Sequence, residues 1–295
     1  MTRYDIRLRI AYHYPGHVKD ARHILRVTPR EIGGQRLERA SLEIDPVPAE
    51  LASEPDFFGN ACEHLLIHQP HDELAIELKV RLAVERPAPD LGMTPSVAAI
   101  SALAAAARDP GGDSPIHFLG GGRLVAPSPE IGAYLRETLA PDAPVAEAML
   151  ALARRIKAEF RFQSGVSTIT TTVAETFEQR RGVCQDFSHL MIAGLRACGL
   201  PARYASGFLR TEPPPGRPRL EGADAMHAWV EVWTGEDVGW MGFDPTNGCL
   251  ASEDHVLVAV GRDYGDVAPI DGVLITSGPQ KHRHSVDMVE VVDPR

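Results

Sequence analysis

RRGVCQDFSHLMIAGLRACGLP, residues 180–201, is the stretch whose reading decides the fold. Phe187, Leu190, Met191, Gly194, Leu195 and Cys198 fall at i, i+3, i+4, i+7, i+8 and i+11, one face of a helix running from about Cys184 to Ala197. Gly199 and Pro201 stop it. Cys184 therefore stands in the first turn, where unpaired amides and the helix dipole favour an anion and so favour thiolate over thiol. Arg180 and Arg181, just before it, push the same way. A free thiol of pKa about 8.5 is ionised only to a few per cent at neutral pH, so a nucleophilic cysteine depends on such placement.

A thiol nucleophile also needs a base. The segment AMHAWVEVW, residues 225–233, alternates as a strand and puts His227, Trp229, Glu231 and Trp233 on one face. A turn through residues 234–239 folds WMGFD (240–244) back alongside it. That pairing brings Asp244, at a strand end closed by Pro245, to the imidazole, where a carboxylate can fix the tautomer. The order is Cys184, then His227 43 residues on (227 − 184), then Asp244 17 residues further (244 − 227). A helix-borne cysteine with strand-borne histidine and acid is the papain-like layout.

Three blocks carry a family likeness: TFEQRRGVCQDFSH (Thr176–His189), GLPARYASG (Gly199–Gly207) and HAWVEVWTGEDVGWMGFDPTN (His227–Asn247). At these residues the chain resembles the bacterial transglutaminase-like cysteine enzymes of the papain-like superfamily. LRVTPR (Leu25–Arg30), Phe58-Gly59-Asn60 and Pro70-His71 resemble the β domain that accompanies that core. The resemblance implies an α+β fold, a transglutaminase-like core preceded by an antiparallel β domain. It implies Cys184 as nucleophile, His227 as base and acid, and Asp244 as the residue that orients His227. The chemistry implied is acyl transfer at an amide, peptide or isopeptide bond through a thioester, on a peptide, protein or small-amide substrate. Bacterial members are more often peptidase- or amidase-like, so hydrolysis is the expected outcome. Resolution of the thioester by an amine, giving cross-links, and a non-catalytic peptide-binding relative are the alternatives. No metal, nucleotide or organic cofactor is called for. The oxyanion would be met by the nucleophile's own N–H and an upstream group, for which Gln163 and Gln179 are candidates.

Outward from the core, residues 1–88 read as the N-terminal β domain, a small sandwich. Tyr4–Ile10 and Leu74–Leu82 alternate, and Pro15-Gly16, Gly33-Gly34 and Pro70-His71 punctuate the strands. Residues 89–270 form the catalytic core. In it Val97–Arg108 is helical, Ser128-Pro129 opens a helix, Pro144–Phe160 is a second, and Thr172 to Glu175 is a capping box. Strands follow at Ala202–Leu209, with an exposed loop over Arg210–Gly222. Residues 271–295, with a strand at Ser285–Val292, are expected to pack on the N-terminal domain.

Composition removes several classes of function. With 30 Lys and Arg against 40 Asp and Glu, the formal charge is −10, the wrong sign for a nucleic-acid or anionic-membrane binder. No apolar run approaches the roughly 20 residues of a membrane helix. The N-terminal segment MTRYDIRLRIAYHY lacks a signal-peptide apolar stretch, which points to the cytoplasm. The four cysteines form no CxxC and read as free thiols; Cys198 lies on the core stripe, and Cys62 and Cys249 are expected to be inert. Cys62, His64, His68 and His71 read as unconnected residues rather than metal ligands, and His282 and His284 as solvated. His189, at i+5 from Cys184, points roughly 140° away and is not the base. Asp186 reads as a helix-start carboxylate. Gln185 is as readily in the cleft as out of it. Trp229 and Trp233 are packing or substrate wall, Glu231 is an ion-pair partner, and Asn247 is the alternative orienter of His227.

Overall fold

The structure, a computed structural model, describes residues 1–211 and 224–291. Alternating apolar residues build the first sheet from β1 (Thr2–Leu25), β2 (Gln35–Asp45), β3 (Glu50–Pro55), β4 (Ala61–Ile67) and β5 (His71–Val84). Along β1, Tyr4, Ile6, Leu8 and Ile10 are buried, while Asp5 and Arg7 on the opposite face pair with Arg81 and Glu77.

The helical layer follows. Ser96 caps α1 (Val97–Ala106) and Ser128 caps α2 (Pro129–Arg136), each accepting from a first-turn N–H. Next come α3 (Val145–Glu159), which buries Met149, Leu152 and Ile156, and the two-residue β6 (Arg161–Phe162). The helix α4 (Val173–Gln179) opens on the Thr172–Glu175 capping box and ends at Arg180 in the left-handed region, φ 51°. The short β7 (Arg181–Gly182) pairs with β6 and leads straight into α5 (Cys184–Ala197).

The second sheet is antiparallel: β8 (Ala202–Leu209), β9 (Ala225–Trp233), β10 (Trp240–Asp244), β11 (Cys249–Leu250) and β12 (His255–Gly261), in the order β11-β10-β9-β8-β12. A one-turn α6 (Tyr264–Val267) precedes β13 (Ile270–Ile275) and β14 (Lys281–Glu290), both of which pair with β1. The last strand thus starts four residues before Ser285, and Val292 lies outside the described residues, as does most of the 210–222 loop.

One expectation fails in detail. Pro15-Gly16 does not separate two strands; β1 runs on through it, with its register against β5 broken between His13 and Val18. The first half of β1 lies between β5 and β14, and the second between β4 and β13. That first half belongs to one set of paired strands, β2-β5-β1-β14, and the second to another, β3-β4-β1-β13, so the one long strand links the two.

The outer edge of β12 is closed by side chains of the first sheet's region. Gln35 Nε2 donates to Leu257 O at 2.8 Å and its Oε1 accepts from Leu257 N at 2.8 Å. Asn60 repeats the pattern at Val260, again 2.8 Å in both directions. Each amide offers a donor and an acceptor as a neighbouring strand would, so the edge is satisfied without a strand. Among the described residues no helix is long and apolar enough to cross a membrane.

Candidate active site

Asp244 is the fixed point. It ends β10, is 0% exposed, and accepts five hydrogen bonds. The chain turns back over it after Pro245, so Thr246 N and Asn247 N donate to Oδ1 at 2.8 and 3.1 Å. Oδ2 accepts from His227 Nε2 at 2.7 Å, Asn247 Nδ2 at 2.6 Å and His255 Nε2 at 3.2 Å. Burial works to raise its pKa, but the donors His227, His255 and Asn247 outweigh it and hold the carboxyl well below the usual range.

His227 lies in β9 opposite Gly207 of β8 and is nearly buried. Its Nε2 is taken by Asp244, which leaves Nδ1 uncommitted to the carboxylate, and the Cys184 side chain is near enough to act on the ring's charge. Burial opposes charging of this ring. The hydrogen bonds and charges of Asp244 and Cys184 prevail and push its pKa up. The charged form of the ring is thus favoured, with the Asp244 carboxylate bonded to its Nε2.

Cys184 is the first residue of α5 and is partly exposed. Asp186 closes the helix start, accepting from Val183 N at 2.7 Å and from Ser167 Oγ at 2.6 Å, so it is a helix-start carboxylate that also holds Ser167. The two arginines lie elsewhere than expected. Arg180 stacks over Tyr134, Phe160 and Phe177 and pairs with Glu159 at 3.5 Å; Arg181 bonds Gln179 Oε1 at 3.1 Å. Positive charge at the sulfur comes from His227 and the first turn of α5.

Trp229 is packing, not substrate wall, at 1% exposed. A Cβ at Gly207 would stand 2.7 Å from its Cη2, and one at Gly242 would stand 3.1 Å from its Nε1, so both glycines make its slot. From there its ring stacks near His227, centroids 6.3 Å apart, and meets His255 edge-on at 5.3 Å. Trp233 is buried too.

Other expected residues fall into place separately. Asn247 bonds the carboxylate rather than the imidazole. His189 is buried and accepts from Tyr264 N at 3.2 Å. Glu231 pairs with Arg203 at 2.8 Å. Gln179 is engaged by Arg181, while Gln163 N follows the β6–β7 pairing to Gly182 O at 2.9 Å. Cys62 is buried in β4, His68 bonds Asp20 at 2.7 Å and His71 bonds Gln69 O at 2.8 Å, so the three have different surroundings.

His227, Asp244 and His255 place one polar atom each within 4.8 Å of one another, close enough to consider a metal ion. The hydrogen bonds argue otherwise. His255 Nδ1 accepts from Ser252 N at 3.2 Å, so its proton is assigned to Nε2, which then has no lone pair for a metal. His255 is also the residue that the sequence reading missed. HVLVAVG (255–261) reads only as an apolar strand, and its approach to Asp244 depends on the order of the sheet, which no local pattern encodes.

Comparison with known proteins follows the same division. Residues 132–245 match the transglutaminase-like superfamily model, and residues 4–83 match the bacterial transglutaminase-like N-terminal region. The first match closes one residue after Asp244 and leaves His255 outside. Uncharacterized proteins of Mycobacterium bovis and Mycobacterium tuberculosis are 39% identical over 284 residues, covering 93% of this chain and 88% of theirs. A protein-glutamine gamma-glutamyltransferase of Pseudomonas aeruginosa is 41% identical over 71 residues, 24% of this chain and 10% of that one. The crystal structure of a candidate cysteine protease from Cytophaga hutchinsonii superposes with TM-score 0.75 at 21% identity, covering 100% of this chain and 92% of that one.

Proposed function

We propose, from the premise that this chain belongs to the transglutaminase-like superfamily, that it is a cysteine-dependent acyl-transfer enzyme that hydrolyses an amide, peptide or isopeptide bond. The observation that carries the reading is a partly exposed Cys184 at a helix start beside His227, whose ring is bonded to the fully buried, five-fold bonded Asp244.

The thiolate of Cys184 attacks the substrate carbonyl carbon, and the charge on the oxygen is met by the backbone N–H of Cys184, a first-turn amide without an intrahelical acceptor. As the C–N bond breaks, the His227 imidazolium gives its Nδ1 proton to the leaving amine, and a thioester remains on Cys184. Neutral His227 then takes a proton from water, whose oxygen displaces the sulfur and releases the acid. Asp244 keeps the ring in orientation and stabilises its charged form; it does not itself take the proton. The reading needs no metal or organic cofactor, since nucleophile, base and orienter are all side chains.

Cys184 is a partly exposed residue, and water is the acceptor always present at it, which supports hydrolysis. The local likeness to a protein-glutamine gamma-glutamyltransferase supports the second reading, in which an amine resolves the thioester. The test is the rate of iodoacetamide alkylation of each cysteine against pH, read by peptide mass spectrometry, with His227→Ala beside the parent. Fast alkylation of Cys184 at and below neutral pH, with a profile altered in His227→Ala, is the expected result. Alkylation like that of an ordinary thiol would overturn the enzyme reading. Incubating a glutamine-containing peptide with and without methylamine then separates acid from methylamide products.

A further inference from the structure

We propose that His255 is a positioning residue for Asp244: held neutral with its proton on Nε2, it takes a share of the carboxylate's charge and so eases release of the His227 proton to the leaving amine. The inference rests on the acyl-transfer reading of the site.

Three contacts fix the ring and a fourth fixes its backbone. Its Nε2 faces Asp244 Oδ2 at 3.2 Å, and its Nδ1 accepts the Ser252 N–H at 3.2 Å. Trp229 packs against it edge-on, and Arg86 holds the strand start by donating to the Ser252 and His255 carbonyls at 2.9 and 2.5 Å. Only 3% of the residue is exposed. Every element around it bears on its charge. Burial, the Arg86 guanidinium and His227 oppose a second proton, Asp244 alone favours one, and the balance keeps the ring's pKa below the ordinary value. The carboxylate of Asp254, on the approach to β12, is turned to Tyr4 and Arg210 instead.

A neutral donor at this place does something a cation would not. It draws on the Oδ2 lone pairs that also bind His227, without setting a positive charge 6.0 Å from the catalytic ring. A buried carboxylate with fewer donors is a stronger base, and it would hold the His227 proton more tightly. The imidazolium must give that proton up when the amine leaves. Gln35 and Asn60, by pinning β12 from the first sheet, keep the donor in reach.

The test is a 15N NMR titration of the histidine rings, with His227 assigned through His227→Asn. In His255→Phe, checked for folding by circular dichroism, loss of the His227 proton should move about one pH unit higher. His255→Gln, whose side-chain amide restores a donor, should bring it back. An unmoved or lowered midpoint in folded His255→Phe overturns the proposal. Should that variant not fold, the parent decides: His255 neutral with the proton on Nε2 at pH 7 supports it, and a charged ring or a proton on Nδ1 overturns it. Alkylation of parent Cys184 as an ordinary thiol would instead sink the acyl-transfer reading, whatever His255 does.

Discussion

Helix α5 carries a cysteine at each end, and the two ends teach how little the residue type alone decides. At the start, Cys184 meets unpaired amide donors and the His227 ring, which is backed by Asp244. At the far end, Cys198 occupies the cap among the last carbonyls, donates to Gly132 O at 3.5 Å, and is approached by Arg136 at 3.6 Å. Burial pushes the Cys198 thiol up, with Arg136 opposing only in part. One sulfur is given a proton acceptor and a positive helix end; the other is given burial, a carbonyl to donate to and the negative end, against which Arg136 works only in part.

The largest effect expected at this contrast comes from Asp244→Asn. An amide cannot stabilise the imidazolium and favours the wrong tautomer, so acylation of Cys184 by an activated ester should slow by about 10²–10⁴-fold in single-turnover kinetics. Cys198 alkylation should not change. A drop below tenfold would mean that His227 is oriented by something else. Next in size is the parent protein's own asymmetry: at pH 7 iodoacetamide should modify Cys184 about 10²-fold faster than Cys198. Comparable rates would dissolve the contrast between the helix ends.

Between the ends, Gly194 sets how α5 lies on α2. A Cβ there would stand 2.7 Å from Leu135 Cγ and 2.9 Å from Ile131 Cγ2. Gly194→Ala should therefore cost about 1–3 kcal/mol in urea unfolding, although alanine is the better helix former. A neutral or stabilising result would show that α2 can yield, and that the helix start is not held by packing at its middle.

Much of this was legible in advance, for physical reasons that can be named. The bounds of α5 and the start of α4 follow from the 3.6-residue stripe and from Thr172 with Glu175, because caps and stripes are local devices. The approach of His227 to Asp244 was legible because both belong to consecutive antiparallel strands, where register follows from the turn. His255 was not, since among the described strands β12 pairs with β8 alone, at the far edge of the sheet from β10, and its contact with Asp244 depends on that order. The arginines misled because adjacency in sequence says nothing of direction. Arg180, in the left-handed region, points its guanidinium into a cage of Tyr134, Phe160 and Phe177. The continuous β1 misled because Pro15-Gly16 can be taken up as an irregularity in a strand as well as a turn.

The smallest effect at neutral pH, and the one that tests α5 as a whole, belongs to His189. It lies between the two cysteines, buried, accepting the Tyr264 N–H. Burial pushes its pKa down to about 4, with Asp263 opposing and Arg196 adding to the fall. An unfolded chain would bind that proton near pH 6.5. Between those two values the unfolded state holds more protons than the folded one, so stability falls as pH drops. The contribution is complete above about pH 6.5 and is lost as pH falls through about 4. His227 has the opposite sign. Its pKa is raised, so its contribution is full below the unfolded value and is lost as pH rises through the folded one. Urea unfolding of His189→Gln, which keeps an acceptor for Tyr264, should match the parent near pH 7.5 and lose less stability between pH 6.5 and 4, by up to about one proton of uptake. An unchanged slope would place the acid sensitivity in other groups. A loss of stability already at pH 7.5 would mean that the ring's packing, rather than its proton, is what α5 requires at this position.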